Sequence, residues 1–201
     1  MQSETTRRMF LGGVAASGLV ALTPARALAL SDAQATQLVD RVVADINKVI
    51  ASGGSLSQMI SQFERIFARY ADVPIIARSA LGVDARRASS GQLRAYTSAF
   101  QGYIARKYGK RFEEFVGGEI TVQGTRQVKS FHEVRASVKL RGQSPFQVNF
   151  LVSDKSGKPR FFDMIIEGIS LRLSEKEEIG AMLDRRKGNI DQLVADLKSA
   201  G

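Results

Sequence analysis

Glu133-Val134-Arg135-Ala136-Ser137-Val138-Lys139-Leu140 places an apolar side chain at every second position, with polar or charged residues between. Successive side chains of a strand point to opposite faces, so this pattern predicts a half-buried strand with one wet face. Arg141-Gly142-Gln143-Ser144-Pro145 is a turn, after which Phe146, Val148, Phe150 and Val152 repeat the alternation. The stretch Ser153 to Gly157 turns the chain again. The denser apolar run from Phe161 to Leu173 then predicts a strand covered on both faces. Upstream, Ile120 and Val122 open the same alternation after Gly117-Gly118. Connections this short pair neighbouring strands antiparallel, giving a meander of about four strands.

On either side of the meander the apolar residues recur at helical spacing. Ala35, Leu38, Val39, Val42, Val43, Ile46, Val49 and Ile50 form one stripe, with Ser31 or Asp32 to cap its start. Met59, Ile60, Phe63, Ile66, Phe67 and Tyr70 mark a second helix, and Pro74 leads a short third that stops at Gly82. Ser89 with Gln92 is a capping-box pair at the head of a helix carrying Leu93, Tyr96, Phe100, Tyr103, Ile104 and Tyr108 on one face. After the strands, Ser174 with Glu177 predicts another capped helix, ended by Gly188, and Asn189 caps a last one. Helices, strands, then helices is the order of a single α+β domain, with helices laid on an antiparallel sheet.

Composition narrows the chemistry. The chain has 201 residues, 44% apolar and 24% charged, with a formal charge of +9. It has no cysteine and a single histidine, His132, which removes disulfides, thiol nucleophiles, Cys-ligated metals and ordinary His-rich zinc sites. Thr6-Arg7-Arg8-Met9-Phe10-Leu11 precedes an apolar run from Met9 to Leu22, followed by small-x-small sites at Ala25-Arg26-Ala27 and Ala27-Leu28-Ala29. That run of 14 residues is shorter than the about 20 a membrane span needs. It resembles a twin-arginine export leader, so residues 1–29 are expected to be removed and the basic domain 30–201 to work in a bacterial periplasm. There its acidic partners are lipid headgroups or acidic protein surfaces, not nucleic acid.

Catalytic motifs fail on inspection. His132-Glu133 opens like a zincin sequence, but Ala136 stands where the second histidine belongs. Gly157-Lys158 runs into Pro159 without the upstream glycine of a phosphate loop, and no G-x-S-x-G elbow occurs. Asp163 and Glu167 lie four apart on the expected strand and share a face, as a carboxylate pair would. A small cone-shaped isomerase or hydrolase using either residue is the enzyme alternative; Glu167 paired to an arginine at the sheet edge is the plainer reading.

Three stretches carry a family resemblance. Leu81-Gly82-Val83-Asp84-Ala85-Arg86-Arg87-Ala88-Ser89, with Gln92 and Phe100, resembles the middle signature of the MlaC family, also called toluene-tolerance proteins. Asp163-Met164-Ile165-Ile166-Glu167-Gly168-Ile169-Ser170-Leu171 is similar to its second signature, and Asn189-Ile190-Asp191-Gln192-Leu193 to its terminal helix. Ala85 departs from the tryptophan usual in the family. The resemblance implies a non-enzymatic periplasmic carrier with no cofactor, its cargo being phospholipid. Its implied partners are an outer-membrane lipoprotein–porin complex and the lipid-binding ring of an inner-membrane ABC transporter, the exchange maintaining outer-membrane lipid asymmetry.

Such a carrier needs an apolar cavity between sheet and helices. The rows expected against lipid tails are Val134, Val138, Val148, Phe150, Met164 and Ile166 from the sheet, with Phe67, Ile76, Phe100, Tyr103 and Ile104 from the helices. The tips of Tyr103 and Tyr108 are candidates for the mouth, and Arg86, Arg87, Lys107 and Arg111 for headgroup or partner contacts. Periodicity identifies an inward face and is silent on whether the interior is filled. A periplasmic adaptor with a solid core therefore stays open as a third reading.

Overall fold

A computed structural model describes residues 30–201, apart from the side chains of residues 112 and 113. The expected export leader lies outside the described residues. Four helices come first: α1 (Asp32–Ala51), α2 (Leu56–Tyr70), α3 (Val73–Leu81) and α4 (Ser90–Gly109). Short 3-10 turns follow α3 at Gly82–Arg86 and α4 at Lys110–Phe115. The strands are β1 (Glu119–Val128), β2 (Phe131–Lys139), β3 (Phe146–Ser153), β4 (Arg160–Ile166) and β5 (Ile169–Ser170), before α5 (Leu171–Arg185) and α6 (Ile190–Ser199).

The helix starts are locally encoded. Ser31 with Gln34, Ser55 with Gln58 and Ser89 with Gln92 each form the reciprocal capping box. These side chains satisfy backbone donors that a helix start leaves unpaired. Asn189 caps α6 by accepting from the Gln192 amide at 3.0 Å. The buried ring of His132 meets Asp32 Oδ1 at 2.7 Å and ties the start of α1 to β2. The histidine is thus a structural tie.

The sheet is an antiparallel meander in the order β1-β2-β3-β4-β5. Val134 faces Phe150, Val138 faces Phe146, Phe150 faces Met164 and Val148 faces Ile166, which builds one continuous apolar face. Strand β4 does not keep strict alternation. Leu151 pairs with Asp163 while Val152 pairs with Phe161, so one residue bulges and Phe161 joins Met164 and Ile166 on the inner face. Phe162 is left outside, edge-on to Phe131 at 5.5 Å.

The single strand expected over 161–173 is corrected. β4 ends at Ile166 because Glu167 (φ 49°) and Gly168 (φ 84°) both take positive φ, a two-residue turn that returns the chain as β5. Ser170 then caps α5, accepting from the Leu173 amide at 3.1 Å. Ser174 lies inside α5, where its hydroxyl donates to the Ser170 carbonyl, so the expected cap at Ser174 is displaced by one turn.

The helices pack on the apolar face, and the first turn of α5 also reaches Asp163 and Phe162 on the other. α1 lies across β1 and β2, and α2 packs mainly on α1 and α4, its C-terminal end meeting β4. α3 packs on α5, and α4 on α6. Arg87 donates to Asp84 at 2.6 Å and to the Gly188 carbonyl at 2.8 Å, pinning the first 3-10 turn to the corner between α5 and α6.

Candidate functional site

α2 meets the sheet at its C-terminal end, where Phe67 packs on Phe161 and the Ala68 carbonyl accepts from Arg160; beyond that contact the two layers stand apart. The gap is a cavity of about 360 Å³. A void that holds one water needs only about 10–15 Å³, so this is a built feature and not a packing defect. Val42, Val43 and Ile46 of α1 form one wall; Phe63, Ile66 and Phe67 of α2 form the roof. Ile104 and Tyr108 of α4, with Phe115 beyond it, close one side. The sheet contributes Ile120, Val138, Leu140, Phe146, Val148, Phe150, Phe161, Met164 and Ile166, and Leu171 adds the start of α5.

One end is shut by rings. Phe161 lies 6.2 Å from Phe67 and 5.6 Å from Phe150, centroid to centroid, and all three are buried. The other end is open: the polar lining residues Arg111, Gln143, Ser144 and Glu167 are all exposed. The result is a greasy chamber with a polar mouth.

A polar network stands behind the α4 and α5 walls. The Tyr108 hydroxyl donates to Glu175 Oε1 at 2.6 Å, and Lys107 donates to the same oxygen at 2.8 Å. Lys107 also bridges to Glu178, which accepts from the Tyr103 hydroxyl at 2.7 Å. Glu175 is fully buried, and its second oxygen has no protein partner, nor has the buried hydroxyl of Tyr96. Burial pushes the Tyr96, Tyr103 and Tyr108 phenols well above their usual range, and the nearby glutamates push the same way. Burial works to lower the Lys107 ammonium, but its bonds to Glu175 and Glu178 outweigh that and leave it raised. Glu178 is held low: burial opposes this, and the donors Lys107 and Tyr103 prevail.

Of the sequence-based candidates, Phe67, Ile104, Val138, Val148, Phe150, Met164, Ile166 and Arg111 line the cavity. Ile76, Phe100, Tyr103 and Val134 do not; each is at most 1% exposed and packs in solid core away from the cavity. The Tyr103 tip is spent on Glu178 and the Tyr108 tip on Glu175, so neither hydroxyl serves the mouth. Lys107 is consumed by the glutamates, while Arg86 and Arg87 are exposed but do not line the cavity.

Asp163 and Glu167 are not a pair. Asp163 is buried and accepts from the Met164 and Arg172 amides and the Ser170 hydroxyl, at 2.9, 3.0 and 2.7 Å. It organises the turn and the start of α5. Glu167 sits exposed in the turn at the mouth. Among the described residues no group of three or more His, Asp or Glu side chains is placed to hold a metal ion.

The family model described as the MlaC protein matches residues 36–199, nearly the whole of the described chain. The chain belongs to the MlaC family. A solved structure with a similar fold is the phospholipid-binding protein from Ralstonia solanacearum, determined in complex with a phospholipid. The two are 20% identical and superpose with a TM-score of 0.70, covering 82% of this chain and 95% of that one. The likeness confirms the MlaC-type α+β architecture in one domain. No helix of the described residues is long and apolar enough to cross a membrane.

Proposed function

We propose that this MlaC-family protein is a phospholipid carrier of the periplasm. It takes lipid between an outer-membrane lipoprotein–porin complex and the lipid-binding ring of an inner-membrane ABC transporter, and so maintains outer-membrane lipid asymmetry. The observation that carries the reading is the hollow itself: an apolar chamber of about 360 Å³ with a polar mouth. The family membership and the phospholipid held by the Ralstonia protein support it.

The physics is simple. Each methylene removed from water contributes about 0.8 kcal/mol, so a sixteen-carbon tail left in water costs roughly 12 kcal/mol. A carrier that encloses tails removes that cost with no chemical step. Phe67, Ile104, Val138, Val148, Phe150, Met164 and Ile166, joined by Phe63 and Phe161, are assigned to the tails, and Arg111 to the headgroup. Arg86, exposed and outside the cavity lining, is assigned to partner contact, while Arg87 is held by Asp84 and the Gly188 carbonyl. Asp163 is occupied in holding the turn, so of the two carboxylates named for the enzyme alternative only Glu167 stands at the cavity.

Protein purified from bacteria is expected to bring two-tailed lipid with it, seen by native mass spectrometry and solvent extraction. Val148→Trp, which fills the chamber from its sheet wall, is expected to fold and to carry less. Lipid-free protein that also takes none from vesicles would overturn the reading.

A further inference from the structure

The mouth lies at the end of the sheet where β1 and β3 begin and β2 and β4 finish, because Arg111, Gln143, Ser144 and Glu167 all sit on the connections there. Among the described residues five large apolar side chains are exposed: Ile75, Val83, Val116, Ile169 and Leu173. Three of these five stand at the mouth end. Val116, 52% exposed, follows the wall residue Phe115 just before β1. Ile169, 66% exposed, is the first residue of β5, between the lining residues Glu167 and Leu171. Leu173, 57% exposed, is in the first turn of α5.

These three do not form a groove. β1 and β5 are the opposite edges of the sheet, about 19 Å apart at the usual strand spacing. Val116 therefore flanks the opening from one edge, and Ile169 with Leu173 from the other. Separate apolar points around an opening fit a flat surface better than they fit one helix or strand.

We propose that this ring docks on a phospholipid bilayer, with Val116, Ile169 and Leu173 entering the interfacial layer and setting the cavity mouth against it. The proposal rests on the carrier reading, and its logic is continuity. Tails entering the chamber must cross the rim, and every methylene that meets water on the way raises the barrier. Aliphatic side chains sunk in the interface close that gap. Cations and anions are mixed at this end: Arg111, Lys139, Arg141 and Arg172 stand with Glu114, Glu119 and Glu167. The apolar contacts therefore carry the docking, and its rate should depend weakly on salt.

The test is the rate at which lipid-free protein takes fluorescent phospholipid from vesicles of phosphatidylethanolamine and phosphatidylglycerol. The triple variant Val116→Ser, Ile169→Ser, Leu173→Ser is expected to slow uptake about ten-fold, the factor that 1.4 kcal/mol represents. The final amount of lipid held and the unfolding temperature should not change, since all three side chains are exposed in the folded protein. Val83→Ser, exposed but at the first 3-10 turn, should behave as the parent. A triple variant that loads as fast as the parent, even if it loses a protein partner, overturns the proposal, as does equal slowing by Val83→Ser. A parent that never loads overturns the carrier reading instead.

Discussion

The Tyr108 hydroxyl donates to Glu175 Oε1 at 2.6 Å, so a residue of the cavity wall is held by a carboxylate with no exposed surface. Lys107, its neighbour in sequence, reaches the same oxygen at 2.8 Å. Consecutive residues of α4 thus both end on α5, whose first residue Leu171 is itself part of the wall. The two sides of the chamber are tied through one buried group.

Tyr108→Phe keeps the ring in the wall and removes only the donor. It is expected to cost about 1–3 kcal/mol, since a buried acceptor loses a bond. Lys107→Met leaves the same carboxylate buried without its counter-charge and should cost more, about 3–5 kcal/mol. Urea unfolding of both variants checks the order; a smaller loss for Lys107→Met would contradict the network described.

The chain's four tyrosines, Tyr70, Tyr96, Tyr103 and Tyr108, all have raised phenol pKa values, burial being the first cause in each. A group raised in the folded state contributes stability that is complete below its unfolded value and is lost as pH climbs. The Lys107 ammonium is raised as well and acts in the same direction. Stability should therefore fall steeply above about pH 10, where unfolded tyrosine ionises. Tyrosinate absorbance is expected to appear together with loss of circular dichroism; tyrosines ionising while the fold persists would count against this burial.

On the acid side the signs reverse. Asp45 is lowered first by its bond from Tyr70, Asp196 by Arg186, and Glu178 by Lys107 and Tyr103 against opposing burial. Lowered carboxylates contribute stability above their unfolded values and lose it as pH falls through the folded ones. Below about pH 4 the protein should weaken progressively. Tyr70→Phe, which removes the bond to Asp45, should make the acid limb shallower in a pH series of thermal melts.

Truncation should separate hollow from solid core. Ile76→Ala opens a void where the side chain has no exposure and is expected to cost about 2–5 kcal/mol. Met164→Ala, on a wall already facing empty space, should cost less than Ile76→Ala while enlarging the chamber. Thermal melts measure the first effect, and added lipid should raise the melting temperature of both variants if the chamber is the binding site.

Asp163→Asn should behave as a structural lesion. It weakens acceptance from two amides and the Ser170 hydroxyl, so α5 loses the anchor of its first turn. Ser170→Ala removes that hydroxyl and the helix cap together and should cost about 0.5–2 kcal/mol. Chemical denaturation checks both, and lipid occupancy should survive each variant that remains folded.

The helices, the caps at Ser31, Ser89 and Asn189, and the antiparallel meander were legible in the residues because each rests on neighbours a few positions away. Ser31 and Ser89 meet glutamines three residues on, and β2 reveals its faces by alternation, whereas the cap expected at Ser174 sits at Ser170. The strand expected across 161–173 failed at Glu167-Gly168, where a two-residue turn is hidden inside an apolar run. Phe161 escaped notice as a wall residue because a bulge, set by pairing with β3, reverses its face.

Val134 and Val138 show where local pattern stops. They lie on one strand and one face, both buried, yet Val138 lines the chamber and Val134 packs solidly. Tyr103 and Tyr108 divide the same way along α4. The amino-acid sequence alone determined which side chains turn inward, where helices start and how strands pair, since those are outcomes of local geometry. Only the tertiary structure decided where the inward faces stand apart. A cavity is the mismatch between two surfaces, and the contacts that set it, such as Phe67 with Phe161 and Tyr108 with Glu175, join residues distant along the chain.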